Sequence, residues 1–345
     1  MDEITENGWK NLAQLLGRKF PNRKNLKITD LGEITEGWET KIYSLSLNYE
    51  VEGELFTEDF ILRVFQGTHK RNQARKEFNL MKKVSQFGIP VPRVDLLVTD
   101  DSLFGNPFIV MEKIQGGTVS HALRGASEQE ILTLMNVMVF HFVKLHQIPW
   151  QKIFDDEKPG EPIPAEPLAF IRTNLFDMQE TVNRYELHDF DPLLNWLEER
   201  MEPGIAPRLC VMHNDYHPLN LLVRESGDDL AIIDWSFAEV GDYRLDLAWS
   251  VLLFGVMVGA PYREILVKTY EDIAGCKVEN FEYFEVLKFA ARMLTIATWL
   301  DESVVIPVKK ITREAIRGEY KVHVLNVYDR LKEITGLELP LIENL

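Results

Sequence analysis

At Gln115-Gly116-Gly117 the hydrophobic pattern of this 345-residue chain changes period. Upstream, apolar residues alternate with polar ones as in half-buried strands; downstream they recur at helical spacing. The runs LKITDLGEI, KIYSLSLNYEVEG and ELFTEDFILRVF are alternating or rich in β-branched and aromatic residues, and each reads as a strand. Val51-Glu52-Gly53-Glu54 reads as the hairpin turn between two of them. Further strands are expected at 93–99 and 107–112. Two helices belong to this part: about 3–20, with Trp9, Leu12, Leu15, Leu16 and Phe20 on one face, and 69–86, stopped by Gly88 and Pro90.

Beyond the glycines the pattern is mainly helical, at 127–146, 166–185, 190–202, 244–258, 261–274, 280–301 and 309–335. Three short strands at 208–213, 219–224 and 229–234 interrupt it, and residues 155–165 read as a surface loop. The expected class is therefore α+β in two lobes. Residues 1–114 form a small antiparallel β-sheet lobe, and 115–345 a large, mainly helical one. A composition of 46% hydrophobic and 27% charged residues excludes a wholly disordered chain. The net charge of −16 argues against a nucleic-acid partner, which calls for a basic footprint. The most apolar stretch, Leu247–Ala260, is shorter than a bilayer span and reads as a core helix. The acidic first residues carry no secretory signal, so the cytoplasm is the expected compartment and no membrane partner is expected. Cys210 and Cys276 cannot make a disulfide framework and read as buried thiols. Oligomeric state is left open.

The chemistry concentrates in His213-Asn214-Asp215-Tyr216-His217-Pro218-Leu219-Asn220. An apolar strand, a Ser-Gly-Asp-Asp turn and Ile232-Ile233-Asp234-Trp235 follow it. Phosphoryl transfer needs oxygen ligands for a metal that holds nucleotide phosphates, and a carboxylate near the attacking hydroxyl. A hairpin of this length returns the end of its second strand beside the start of its first. Asn220 and Asp234 can then share one Mg²⁺, with Asp215 nearby on the loop. An isolated Asp-x4-Asn would be ordinary turn chemistry. The joint pattern is far more specific.

These residues resemble the aminoglycoside phosphotransferase and choline kinase-like branch of the protein-kinase-like superfamily. HNDYHPLN is similar to its catalytic loop, IIDW to its metal-binding segment, and Gly241-Asp242-Tyr243-Arg244-Leu245-Asp246-Leu247-Ala248 to its Gly-Asp…Asp-Leu-Ala segment. The resemblance implies a bilobal protein-kinase-like fold using ATP and Mg²⁺. It makes Asp215 the catalytic base or hydroxyl-positioning group, and Asn220 and Asp234 the metal ligands. Asp246 is either a buried acceptor for the catalytic-loop backbone or a helix N-cap. His213 reads as structural, and His217 as either a phosphate contact or a brace for the loop.

In the small lobe the resemblance asks for a cation on the third strand paired with a helix Glu. Arg63 in FILRVF and Glu77 in RKEFNLM occupy those places. Arg stands where protein kinases have Lys; it is always charged and can grip phosphate through a fork of donors. The segment 31–40 lacks a Gly-x-Gly-x-x-Gly loop, but Gly37 could allow close approach of backbone to phosphate. A plain hairpin turn explains it equally well. Phe108–Ile114 resembles the kinase hinge, so the Glu112 carbonyl and Ile114 amide are expected to meet adenine.

Asp234 and Asp246 are only twelve residues apart, which leaves no room for the activation segment of a protein kinase. The expected acceptor is a small-molecule hydroxyl compound. A choline- or ethanolamine-type kinase and a non-catalytic nucleotide-binding regulator are the alternatives. Candidate acceptor contacts are Trp249, Trp299, Asp301 and Glu302, unless they are core and helix-end residues. Residues 1–112 hold 15 Lys/Arg and 17 Asp/Glu, so nearly all the negative charge, −14, lies beyond them. That imbalance favours a cationic acceptor, although solubility alone would also account for it.

Overall fold

The computed structural model describes residues 6–34, 40–67, 69–101, 103–154, 168–201, 208–225, 229–304, 306 and 312–345. In chain order the first elements are α1 (Glu6–Lys19), β1 (Lys24–Ile34), β2 (Thr40–Val51), β3 (Glu54–Phe65), α2 (Lys70–Gln86), β4 (Val94–Val98), β5 (Phe108–Glu112) and β6 (Gly116–Thr118). Next come α3 (Val119–Ala122), α4 (Glu128–His146), α5 (Trp150–Phe154), α6 (Ala169–Tyr185), α7 (Asp191–Glu199), β7 (Leu209–Met212), β8 (Leu221–Arg224), β9 (Leu230–Ile232) and β10 (Glu239–Asp242). The chain closes with α8 (Tyr243–Met257), α9 (Tyr262–Ala274), α10 (Phe281–Leu300), α11 (Arg313–Arg317), α12 (Lys321–Thr335) and α13 (Pro340–Glu343). These fall into two compact units. The first comprises residues 1–117 and 222–236, the second 118–221 and 237–345. The segment 222–236 groups with the first unit although it lies far along the chain.

The first unit is built on a five-stranded antiparallel sheet in the order β1-β2-β3-β5-β4. Glu52 (φ 53°) and Gly53 (φ 89°) are both left-handed and pair Val51 with Glu54 across a two-residue loop. This is the turn that suits the twist of a hairpin. One sheet face packs Leu45, Leu47, Phe60, Leu62, Phe108 and Val110 against Leu12 and Leu16 of α1. Helix α2 buries Ala74, Glu77, Leu80, Met81 and Val84. Glu77 is the one charged side chain in that row, and its partner is described below. A second sheet, β6-β8-β9, joins the unit; Ile232 N–H donates to the Pro90 carbonyl at 2.8 Å. Gly116 lies so close to this sheet that an added Cβ would sit 1.9 Å from the Val223 carbonyl oxygen, at a φ of 150°. Only glycine fits there.

In the second unit α8 is the core helix expected from Leu247–Ala260, and it buries most of its length. Helix α4 starts with a full capping box, Ser127 and Glu130 bonding each other's backbone N–H. Two expectations need correction. The helix expected over 309–335 is two, α11 and α12, because Gly318 to Tyr320 break it. Cys276 is exposed, whereas Cys210 is buried. The strand β10, which no expectation covered, pairs antiparallel with β7, Val240 opposite Val211. Among the described residues no helix is long and apolar enough to cross a membrane.

Candidate active site

The loop after β7 is fastened in the second unit from beneath. Asp246 of α8 is fully buried and accepts from the backbone N–H of His213 at 2.7 Å and of Asn214 at 2.8 Å. The N-cap of α8 is instead Asp242, whose carboxylate accepts from Arg244 N–H. Asp246 is therefore the loop's anchor and not a cap. Tyr216 stacks on Phe142 at 4.2 Å and donates its hydroxyl to the Met138 carbonyl, while Ser250 Oγ donates to the Tyr216 carbonyl. His213 is wholly buried and packs edge-on to Tyr216.

This scaffold places Asp215 among three donors. Asn220 Nδ2 donates to its Oδ2 at 2.8 Å and Trp249 Nε1 to its Oδ1 at 3.2 Å. His217 Nε2 stands 3.2 Å from Oδ1. His217 Nδ1 accepts from Leu219 N–H at 3.3 Å, and Nε2 stands between Asp215 and the Asn220 amide nitrogen, 3.3 Å from the latter; a bond to Asp215 calls for the ring proton on Nε2. Burial pushes the Asp215 carboxyl up. The hydrogen bonds from His217 and Trp249 outweigh that and bring the pKa down to about 2. Asp215 is thus an anion at neutral pH. Asn220 spends its amide nitrogen on Asp215, at both the carboxylate and the main-chain carbonyl (3.0 Å). Its Oδ1 is the oxygen left to offer.

Sequence reasoning missed Lys288 and Arg292, one turn apart on α10. Both lie over the Trp249 indole, Lys288 Nζ and Arg292 Cζ each 5.7 Å from its centroid. Lys288 donates to Asn214 Oδ1 at 2.7 Å, and Asn214 in turn donates to Glu239. Burial lowers the pKa of both cations, against the pull of Asp215. The signal was present: two cations at i and i+4 inside the apolar run FEYFEVLKFAARMLTIATWL.

In the first unit Arg63 of β3 is buried between two carboxylates. Its guanidinium stands 3.2 Å from Glu77 Oε1 and 2.9 Å from Asp234 Oδ1. Ser236 Oγ joins the cluster, 2.8 Å from Arg63 and 3.0 Å from Asp234. Asp234 lies just past β9 at φ 60°, a left-handed conformation that costs a non-glycine residue on the order of 1–2 kcal/mol. The bonds from Arg63 and Ser236 help to hold it. Burial raises the Glu77 carboxyl to about 7, despite the Arg63 charge beside it, and Asp234 adds to the rise.

Glu112 ends β5. Its N–H donates to the Arg93 carbonyl at 2.8 Å and its carboxylate accepts from Arg224 at 2.8 Å. Ile114 is buried two residues on. Gly37 and residues 226–228, where a turn was expected, lie outside the described residues. Trp249 touches Asp215, whereas Trp299 packs on Arg292, its centroid 5.4 Å from Cζ. Asp301 accepts from Ser303 in an exposed helix-end turn, and Glu302 is exposed beside it.

The sequence profile described as "phosphotransferase enzyme family" matches residues 42–283. Among curated proteins, the chain is 28% identical over 186 residues to acyl-CoA dehydrogenase family member 10 of Mus musculus, covering 52% of this chain and 16% of that protein. It is 24% identical over 187 residues to acyl-CoA dehydrogenase family member 11 of Homo sapiens, covering 54% and 24%. The chain thus spans a quarter or less of the length of these two relatives. Solved structures share the fold. A Ralstonia eutropha JMP134 protein assigned as an aminoglycoside phosphotransferase superposes with TM-score 0.66 at 15% identity, covering 97% of this chain and 98% of that one. The GDP complex of aminoglycoside 2'-phosphotransferase-IIIa gives 0.59 at 16%, covering 95% and 98%. Macrolide 2'-phosphotransferase type I gives 0.58 at 16%, covering 96% and 99%.

Proposed function

Since the chain belongs to the phosphotransferase enzyme family, we propose that it transfers the γ-phosphoryl group of ATP to a hydroxyl of a small molecule. The observation that carries this reading is Asp215, an ionised carboxylate fixed by His217, Trp249 and Asn220. Asp215 accepts the acceptor's O–H and orients its oxygen toward phosphorus. The O–P bond forms as the bond to the β-phosphate oxygen breaks, ADP leaves, and the hydroxyl proton passes to Asp215 and on to solvent. A carboxylate held near pKa 2 is a weak base, so positioning outweighs proton abstraction.

Arg63, steadied by Glu77, takes the phosphate-side role. Gly37 belongs to the phosphate loop, and the Glu112 carbonyl and Ile114 amide take the adenine edge. Asn220 and Asp234 carry the metal-ligand roles; an amide oxygen and a carboxylate are donors of the kind Mg²⁺ accepts. When bound, Mg²⁺ neutralises charge on the phosphate oxygens. Use of ATP suits a cytoplasmic location. The −14 charge beyond residue 112 supports a second reading of the acceptor, as a cation.

A screen of ADP and GDP release over aminoglycosides, macrolides, choline, sugars, amino alcohols and hydroxy acids tests the proposal. Release that depends on an acceptor is expected from at least one class. Tight binding of ATP and Mg²⁺ with no acceptor-dependent turnover would point instead to a non-catalytic nucleotide-binding regulator.

A further inference from the structure

We propose that Arg292, with the indoles of Trp249 and Trp299, forms an oxyanion subsite beside Asp215, so that the acceptor is a hydroxy compound bearing a carboxylate or a phosphate. This subsite presupposes phosphoryl transfer at Asp215 and names the substrate class. Trp249 supplies the geometry. Its Nε1–H donates to Asp215 Oδ1 at 3.2 Å while its ring faces Arg292 Cζ at 5.7 Å, so one indole separates the carboxylate from the guanidinium. Trp299 faces the same guanidinium at 5.4 Å. Aromatic contacts of this kind hold the guanidinium, whose N–H fork matches a carboxylate or phosphate.

Nothing among the described residues answers that charge. Among the described residues Arg292 makes no hydrogen bond or ion pair, and its buried Nε has no acceptor. The carboxylate that acts on it is Asp215, whose two oxygens are already engaged by His217, Trp249 and Asn220. His323 packs edge-on to Trp249 at 6.5 Å. Burial and the Arg292 charge hold its pKa at about 4, so it is neutral at pH 7 and offers no counter-charge. Lys288 differs, because its ammonium already has Asn214 Oδ1. A half-buried guanidinium without an anion is costly. A ligand oxyanion removes that cost and brings its own hydroxyl within reach of Asp215. An ammonium-bearing acceptor would instead meet two like charges. The negative sum over residues 113–345 says little about this point, because Lys288 and Arg292 set the sign locally.

Matched acceptors decide the matter: hydroxycarboxylates of graded chain length, their neutral amides, the corresponding amino alcohols and hydroxyalkyl phosphates. ADP release is measured for each, and binding to the nucleotide-free protein is followed by tryptophan fluorescence. The carboxylate or the phosphate arm should exceed the neutral amides in kcat/KM by about 10-fold or more. The arm that responds identifies which oxyanion is used. Arg292→Gln should abolish the preference through KM, leaving kcat within about threefold, and Arg292→Lys should keep part of it. Melting curves of both variants check that each is folded. Amides or amino alcohols used as well as the anions would overturn the subsite while leaving the phosphotransferase reading intact. So would an Arg292→Gln variant that weakens charged and neutral acceptors alike. If no member of any arm releases ADP, the phosphotransferase reading is what fails. Fluorescence then still decides the subsite: anion binding lost in Arg292→Gln upholds it, and no anion binding overturns it.

Discussion

Asp215 and Glu77 are both largely buried carboxylates, yet their surroundings drive them in opposite directions. Asp215, in the second unit, falls to about 2; Glu77, in the first, rises to about 7. Desolvation raises both, so the neighbours decide the difference. Asp215 has an imidazole, an indole and an amide to itself, with no carboxylate among the described residues working against it. Glu77 is almost wholly enclosed and shares its guanidinium with Asp234, whose negative charge pushes it further up; Ser236 Oγ at 3.4 Å and the Trp235 backbone only partly offset this. The first arrangement secures an anion. The second keeps a cation in place at the expense of one of its partners.

The largest effect should come from Asp215→Asn, which keeps the shape and removes the charge. A loss in kcat of about 10²–10⁴ is expected, with the melting temperature unchanged or raised. Steady-state ADP release and calorimetry measure the two together. Next is Arg63→Met, which strands Glu77 and Asp234 without their cation. Destabilisation of about 3–5 kcal/mol is expected in urea unfolding, and a near-neutral result would show that Glu77 simply protonates.

The Glu77 shift carries its own pH signature. The unfolded carboxyl ionises near 4.5 and the folded one near 7, so the folded chain holds the proton more tightly between them. The stability from this group is complete below about 4.5 and declines as pH rises to about 7, by roughly 3 kcal/mol. Glu77→Gln should flatten that decline, and unchanged slopes in the variant would refute the assignment. The smallest change is Trp249→Phe. It removes one donor from a charged acceptor, and kcat/KM should fall by the equivalent of about 1.5–3 kcal/mol.

Much of this was legible in the sequence, in places where local pattern decides. The Val51–Glu54 hairpin follows from Glu52-Gly53, and α8 from its unbroken apolar run. Asp215 and Asn220 meet because they bracket only four loop residues. Arg63 and Glu77 could be matched by position, because a strand and the helix after it pack together. What was not legible depends on long-range packing. Asp246 was left between cap and anchor, and only the β7 loop above α8 decides it. Helix α10 reads as an apolar core helix, and its two cations gain meaning only once Trp249 of another helix lies beneath them. Bulk charge favours a cationic acceptor, but a sum over 233 residues does not say which few surround Asp215.

The most direct test is phosphorus NMR of the wild-type protein incubated with ATP, Mg²⁺ and a hydroxycarboxylate or hydroxyalkyl phosphate that it turns over. The account predicts one new phosphomonoester resonance on the acceptor hydroxyl for each ADP formed, and neither signal with Asp215→Asn. An acyl phosphate, inorganic phosphate as the sole product, or undiminished transfer by the variant would contradict it.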